Sequence, residues 1–266
     1  MFAPASVTFI FSPNVSEDPL RSGSLGVSVT LDLGVRVEVR TGEKLEVIVN
    51  GERWNFPTVE TVAKLLGFEG KVEIDMDLPA GCGFGMSGAS ALATALAINE
   101  RLSLHRSAFE LADLAHVAEV VNRTGLGDVV AQCHGGFVVR KNAACPSRCI
   151  VDRYLWNATF EIEILGELRT DELLSLPLKK VAVLGRKKLS EFLKKPTLEN
   201  LFKLSKDFAL ESGLADDDVI DLIEHVESVG GLATMIMLGR SVIAYGGEAG
   251  FHIKCKPNFC GAMPIG

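Results

Sequence analysis

Strand-like and helix-like segments fall in separate runs along this sequence, which predicts an α+β protein. Three observations carry the prediction. Short β-rich runs crowd the first 80 or so residues, two helical patterns then follow back to back, and a second set of strands and helices lies beyond a loop at 141–148. That loop (KNAACPSR) is the predicted domain boundary and divides the chain into 1–148 and 149–266.

In order, 5–11, 25–31, 35–40 and 45–50 are β-rich runs, several alternating apolar with polar residues. A short helix is predicted over 57–66, with Pro57 in its first turn and Gly67 as its stop. The run 71–78 (KVEIDMDL) alternates strictly. Val72, Ile74, Met76 and Leu78 share one face and charges the other, so this is a strand with one wet face. A glycine-rich turn then leads into an Ala-rich helix over 88–102. The next helix, 107–122, opens with Ser107 and Glu110 at capping-box spacing and carries Leu111, Leu114, Ala115, Ala118 and Val121 as its apolar stripe. After the turn RTGLGD come a short helix, Gly135-Gly136 and a strand ending at Arg140. The second half is predicted as strands at 158–165 and 181–184, helices at 190–195, 198–213 and 216–229, and strands at 232–238 and 242–245. Asp216, Asp217 and Asp218 mark a helix start, where the dipole favours carboxylates. The chain has no repeat period of a solenoid.

Composition excludes several classes. At 266 residues, 47% hydrophobic and 23% charged, the chain is too apolar for disorder and long enough for a large core. A net charge of −7 argues against nucleic acid or an anionic membrane as partner. The start, MFAPASVTFIF, has no Lys or Arg ahead of its apolar stretch and is interrupted by Pro4, so it is not read as a secretory signal. The longest uncharged run, 78–99, is broken by glycines at 81, 83, 85 and 88 and is Ala-rich beyond them, which is not a spanning helix. A cytoplasmic, soluble protein is expected. Its six cysteines then read as thiols. Cys145-x3-Cys149 and Cys255-x4-Cys260 hold enough sulfur for a zinc ion, but neither spacing is that of a knuckle and no histidine accompanies them closely.

Glycine, at 26 residues, concentrates in the loop 79–90 (PAGCGFGMSGAS). Gly81, Gly83, Gly85 and Gly88 remove Cβ atoms that would keep a ligand off the backbone. N–H groups can then converge on an anion, and the helix that follows adds its positive end. Gly83-x-Gly85-x-x-Gly88 is also the literal dinucleotide fingerprint. The preceding strand has a charged face, however, and the helix leads to another helix, not to a strand ending in a ribose-binding acid. A Walker loop is excluded because no Lys precedes Ser87. Alone, the loop leaves a phosphate cradle and a flexible turn both open. The carboxylates downstream favour the cradle. Phosphoryl transfer needs Mg²⁺ held by few protein ligands and a group that accepts or orients the acceptor's proton. Ser87, Glu119 and Asp128 supply that set.

The loop resembles the second signature of the GHMP small-molecule kinases, P-x-x-x-G-L-G-S-S-A. Ala3-Pro4-Ala5-Ser6 resembles their first signature, and 124–136 (TGLGDVVAQCHGG) resembles the turn that carries the catalytic Asp in mevalonate kinases. Three features depart from the pattern: Met86 stands for the first Ser of the Ser-Ser pair, the spacing from Glu119 to Asp128 is shorter than in mevalonate kinases, and the third signature is reduced to 233–239 (ATMIMLG). These details look like the archaeal pantoate kinases, a branch of that family working in coenzyme A synthesis.

The resemblance implies a two-lobed GHMP-kinase-like fold. An N-terminal mixed α/β lobe would bind ATP, and a C-terminal lobe would pack helices on an antiparallel sheet. Pro79, Gly81, Gly83, Phe84, Gly85, Met86, Ser87, Gly88 and Ala89 would line the ATP phosphates. Ser87 and Glu119 would hold Mg²⁺, and Asp128 would be the catalytic residue. Pantoate is a carboxylate and needs a cation, so His116 and Arg140 are expected at the substrate, with Ser24 and Ser28 toward its hydroxyls. A homodimer is compatible with this reading. The alternatives are a kinase for homoserine or mevalonate, a nucleotide or metabolite sensor without turnover and, on the glycine pattern alone, a dehydrogenase.

Overall fold

The computed structural model describes residues 1–167 and 178–265. β1 (Phe2–Asn14) and β2 (Gly23–Thr41) pair antiparallel and form the spine of a seven-stranded sheet. Patterning predicts two strands, 25–31 and 35–40, where β2 is one. Leu33-Gly34 resembles a break, but a Cβ on Gly34 would lie 2.2 Å from the Ala3 carbonyl oxygen. The glycine allows two strands to pass closely and makes no turn. β2 is long enough to pair twice along its other edge. It meets β5 (Gly70–Met76) through 35–41 and β6 (Phe137–Arg140) through 26–29. β3 (Glu46–Val49) runs parallel to β5, and β4 (Glu52–Arg53) extends that edge. At the opposite edge β7 (Val151–Tyr154) pairs with β6, so this sheet continues past the loop 141–148. Its sequence, VDRY, is too short and too charged to register as a strand.

α1 (Pro57–Leu65), α2 (Met86–Arg101) and α3 (Ala108–Asn122) lie together against this sheet. α2 is buried on nearly every side, which its alanines at 89, 91, 93, 95 and 97 permit by letting neighbours approach closely. The predicted capping box at Ser107 and Glu110 is formed. A short α4 (Asp128–His134) leads into β6.

The second sheet has the order β11-β8-β10-β9, where β8 is Phe160–Gly166, β9 Leu232–Met235, β10 Arg240–Tyr245 and β11 Ile253–Cys255. All its pairs are antiparallel. Helices α5 (Leu178–Lys194), α6 (Leu198–Ser212) and α7 (Asp217–Ser228) accompany it. The predicted strand at 181–184 and short helix at 190–195 are corrected to the single helix α5. Val181, Gly185, Lys188, Leu189 and Phe192 are its buried residues, a helical period that the local run VAVL conceals. At the start of α7, Asp216 caps Val219 N–H, and Arg240 bridges Asp216 and Asp218 at 2.6 Å each. The acidic triplet is a helix start, as expected.

The larger of two apolar clusters among the described residues runs under both sheets, and the smaller gathers Phe11, Phe208, Val219 and Met235 between the second sheet and its helices. Phe9 of β1 stacks with Phe137 and meets Phe202 of α6 edge-on, and Phe160 of β8 completes the cluster. After β11 the chain returns across the first sheet: Asn258 N–H donates to Thr30 O at 2.8 Å and Ala262 N–H to Gln132 O at 2.8 Å. Among the described residues, no helix is long and apolar enough to cross a membrane.

Candidate active site

Two loops meet at the first third of β1. The glycine loop is clipped there by Ser6 N–H donating to Phe84 O at 2.9 Å. Ser6 Oγ donates to Asp128 Oδ1 at 2.8 Å, and the Gln132 amide, one turn further along α4, donates to Gly85 O at 2.8 Å. Gly85 is the N-cap of α2 in the left-handed conformation, φ 60°. A Cβ on it would lie 2.5 Å from Ser6 Oγ and 2.9 Å from Asp128 Cγ. A Cβ on Gly83 would meet Ile236 and Gly239, one on Gly81 would meet the Glu167 side chain, and one on Gly88 would meet Gln132 and Val129. The missing Cβ atoms therefore make room for the protein's own groups, where the sequence reading clears them for a ligand. What remains for an anion is the start of α2, whose N-cap has no side chain to occupy the first-turn N–H groups. Phe84, Met86 and Ala89 turn their side chains into the core and Pro79 is exposed, so these four can offer the loop only backbone or shape.

The reduced third signature docks on the same loop. Gly239, its one glycine, has its α-carbon where a Cβ would lie 2.1 Å from the Cys82 carbonyl, and Ser241 Oγ donates to Cys82 O at 3.1 Å. Cys82 is buried, and that burial, with the Glu167 charge, raises its thiol pKa.

Asp128 is the first helical residue of α4, with Gly127 as its N-cap. Burial raises its pKa, while the Ser6 hydroxyl and the Arg140 charge pull the other way. Arg140, at the end of β6, is 1% exposed. Its Nε donates to Ser24 O at 2.8 Å and its Nη1 to Ser28 Oγ at 2.7 Å, and Ser28 in turn shares a hydrogen bond with Thr8 at 2.9 Å. The backbone of Gly127 lies directly over the guanidinium: a Cβ there would sit 2.9 Å from Cζ. The structure thus brings Arg140, Ser24 and Ser28 into one buried cluster, with the half-buried Asp128 near enough to feel the Arg140 charge.

Glu119, on α3, lies close to Asp128, and a Cβ on Gly125 would meet both carboxylates. Its Oε1 accepts from Thr124 Oγ1 at 2.7 Å, and its Oε2 has no hydrogen-bond partner among the described residues. Burial pushes its carboxyl up to about 7, the Asp128 charge adds to that, and the hydroxyls of Thr124 and Ser87 oppose it. A Cβ on Gly125 would lie 2.3 Å from Oε2, so this turn is closed over the carboxylate. A buried carboxylate with a bare oxygen beside the Ser87 hydroxyl is the oxygen-rich, cation-deficient environment that suits a hard divalent ion. Among the described residues, no three or more His, Cys, Asp or Glu side chains gather as metal ligands, and all six cysteines are free. Magnesium sites on nucleotide enzymes need only one or two carboxylates, since phosphate oxygens and water supply the rest.

His116 is placed differently from its expected neighbours. Its Nε2 lies 3.2 Å from Pro19 O and 3.1 Å from Ser22 O, so it donates to the carbonyls of the 3-10 turn Pro19–Arg21, and burial lowers its pKa. It is turned toward the segment that leads into Ser24.

The GHMP kinases N terminal domain family matches residues 55–136, which span the glycine loop, Glu119 and Asp128. The chain is 36% identical to the pantoate kinase of Methanocaldococcus jannaschii over 252 residues, covering 91% of this chain and 90% of that one. It is also 36% identical to the pantoate kinase of Thermococcus kodakarensis, covering 91% and 86%. This chain belongs to the pantoate kinase family of GHMP kinases. A solved phosphotransferase related to the coenzyme A biosynthesis pathway superposes with a TM-score of 0.82 at 34% identity, covering 92% of this chain and 86% of that one. A mevalonate kinase structure, at 14% identity and a TM-score of 0.66, shares the fold.

In this GHMP kinase three residues near the carboxylates escape sequence reasoning: Ser6, Thr124 and Gln132. Ser6 lies in a recognisable signature, but nothing local shows that its hydroxyl reaches Asp128, 122 positions away. The available signal for Gln132 is an amide on the apolar face of a short helix, where it is fully buried.

Proposed function

We propose that this ATP-dependent kinase transfers the γ-phosphoryl group of ATP to the terminal hydroxyl of pantoate, giving 4-phosphopantoate for coenzyme A synthesis. The observation that carries the reading is Arg140: a fully buried guanidinium beside Asp128, fixed by Ser24 and Ser28, inside a chain related to pantoate kinases over nearly its whole length. A buried cation anchored through two of its nitrogens suits an acceptor that carries a carboxylate.

The start of α2 receives the triphosphate through its first-turn N–H groups and its dipole. Ser87 and Glu119 would hold Mg²⁺, which would supply positive charge to offset that of the ATP phosphates. Asp128 accepts or orients the proton of the attacking hydroxyl, and Ser6 keeps its carboxylate aimed. Arg140 fixes the carboxylate end of pantoate, with Ser24 and Ser28 holding the guanidinium in place. His116 supports the same end by bracing the turn before Ser24. We place the enzyme in the cytoplasm, with its nucleotide.

The test is to incubate the purified protein with Mg·ATP and pantoate, homoserine or mevalonate, following ADP release and product mass. ADP together with 4-phosphopantoate, formed with pantoate alone, is expected. Turnover with another hydroxy acid would move the acceptor, and nucleotide binding without turnover would favour a sensor.

A further inference from the structure

Gln132 Oε1, like Glu119 Oε2, is a buried oxygen with no hydrogen-bond partner among the described residues. The two flank the same point: the position of the absent Cβ of Gly88 is 3.1 Å from Gln132 Oε1 and 3.3 Å from Glu119 Oε2. The orientation of the amide is decided by its other end. Gly85 O lies 2.8 Å away and can only accept, so the nitrogen faces Gly85 and the oxygen faces Gly88 and Glu119. Both oxygens are held there by other bonds, Glu119 through Thr124 and Gln132 through Gly85. Neither is free to turn toward a donor. The Ser87 hydroxyl reaches the Glu119 end of this space, but two acceptors converging in a buried space beside a single hydroxyl proton remain short of donors. A cation, or water that a cation orients, makes good that deficit.

We propose that Gln132 belongs to the magnesium site, its Oε1 accepting a hydrogen bond from a water that the ion bound by Ser87 and Glu119 retains. Mg²⁺ gives up its water reluctantly, and groups that bond to retained waters tune affinity about 10- to 100-fold. The inference rests on the kinase reading and adds to it a residue from α4, the helix that begins at Asp128.

The experiment is a Mn²⁺ titration followed by electron paramagnetic resonance, on protein saturated with a non-hydrolysable ATP analogue. Wild type is compared with Gln132→Met and Gln132→Glu. Both variants lose the bond to Gly85 O, and only Gln132→Glu keeps an oxygen facing Glu119. Gln132→Met is expected to weaken Mn²⁺ binding about ten-fold or more, and Gln132→Glu to keep or tighten it. Unchanged affinity in Gln132→Met overturns the proposal. Equal loss in both variants also overturns it, because the effect then traces to the Gly85 contact. If Gln132→Met does not fold, a ten-fold loss in Gln132→Glu decides against it. Wild type that takes up no Mn²⁺ with the analogue overturns the kinase reading itself, a result distinct from the others.

Discussion

Gly125→Ala isolates the geometry of the Glu119 carboxylate. The backbone of Gly125 is not in the left-handed region, so alanine brings only its methyl group. That methyl would lie 2.3 Å from Glu119 Oε2, about 1 Å inside ordinary van der Waals contact. The carboxylate cannot swing aside freely, because Thr124 holds its other oxygen at 2.7 Å. Either the carboxylate or the turn moves by about 1 Å, and a misplacement of that size costs on the order of 10²-fold in turnover, roughly 2.7 kcal/mol. We expect kcat with pantoate at saturating Mg·ATP to fall about 100-fold, with the KM for pantoate changing far less. Overpacking also costs about 1–3 kcal/mol of stability, so a thermal melt accompanies the kinetics to establish that the variant is folded. A folded variant whose kcat stays within about three-fold of wild type, less than 1 kcal/mol, would refute the assignment of Glu119 to the magnesium.

Four further outcomes are expected. Asp128→Asn leaves nucleotide binding intact by calorimetry and lowers turnover by about 10²–10⁴-fold; normal activity would remove Asp128 from the chemistry. Arg140→Lys keeps the charge and loses the fork, so the KM for pantoate rises about ten-fold or more while that for ATP does not, and equal rises would argue against a carboxylate clamp. Glu119→Gln replaces a buried carboxylate by an amide that can donate toward Gln132 Oε1. The metal-free protein then melts about 2–4 °C higher, for roughly 1 kcal/mol gained, while activity is lost; a lower melting temperature contradicts the reading of Oε2 as a destabilising bare oxygen. Gly185→Ala places a methyl 2.0 Å from Phe11 O, so it destabilises by about 1–3 kcal/mol despite the better helix propensity of alanine, and a melting temperature at or above wild type contradicts that packing.

Most helices, and the strands with alternating faces, are legible in the sequence because their signals are local. The capping box at Ser107 and Glu110, Pro57 at a helix start and the aspartates before α7 act within one turn of chain. Elements defined by distant partners are not legible. β7 is a strand because β6 offers it an edge, and 181–184 is helical because Gly185 lets the helix lie against Phe11 of β1, more than 170 positions earlier. A short run of Val and Leu carries too little periodicity to decide between the two states.

The site divides in the same way. By itself the sequence determined the chemical inventory: a glycine loop at a helix start, two carboxylates after it, and Arg140 at the end of a strand. It did so because backbone freedom, helix dipoles and charge are properties of residues and short segments. Tertiary structure alone decided how the glycines are used, for a missing Cβ admits whatever lies opposite, and here that is Ser6, Asp128, Ile236 and Gly239. It also decided that His116 bonds a backbone turn, and that Glu119 and Gln132 each keep a bare oxygen facing one point. A hydrogen bond depends on differences of a few tenths of an ångström in the separation between groups as far apart in sequence as Ser6 and Asp128. Only the packing of α3 and α4 against α2 and β1 determines those separations.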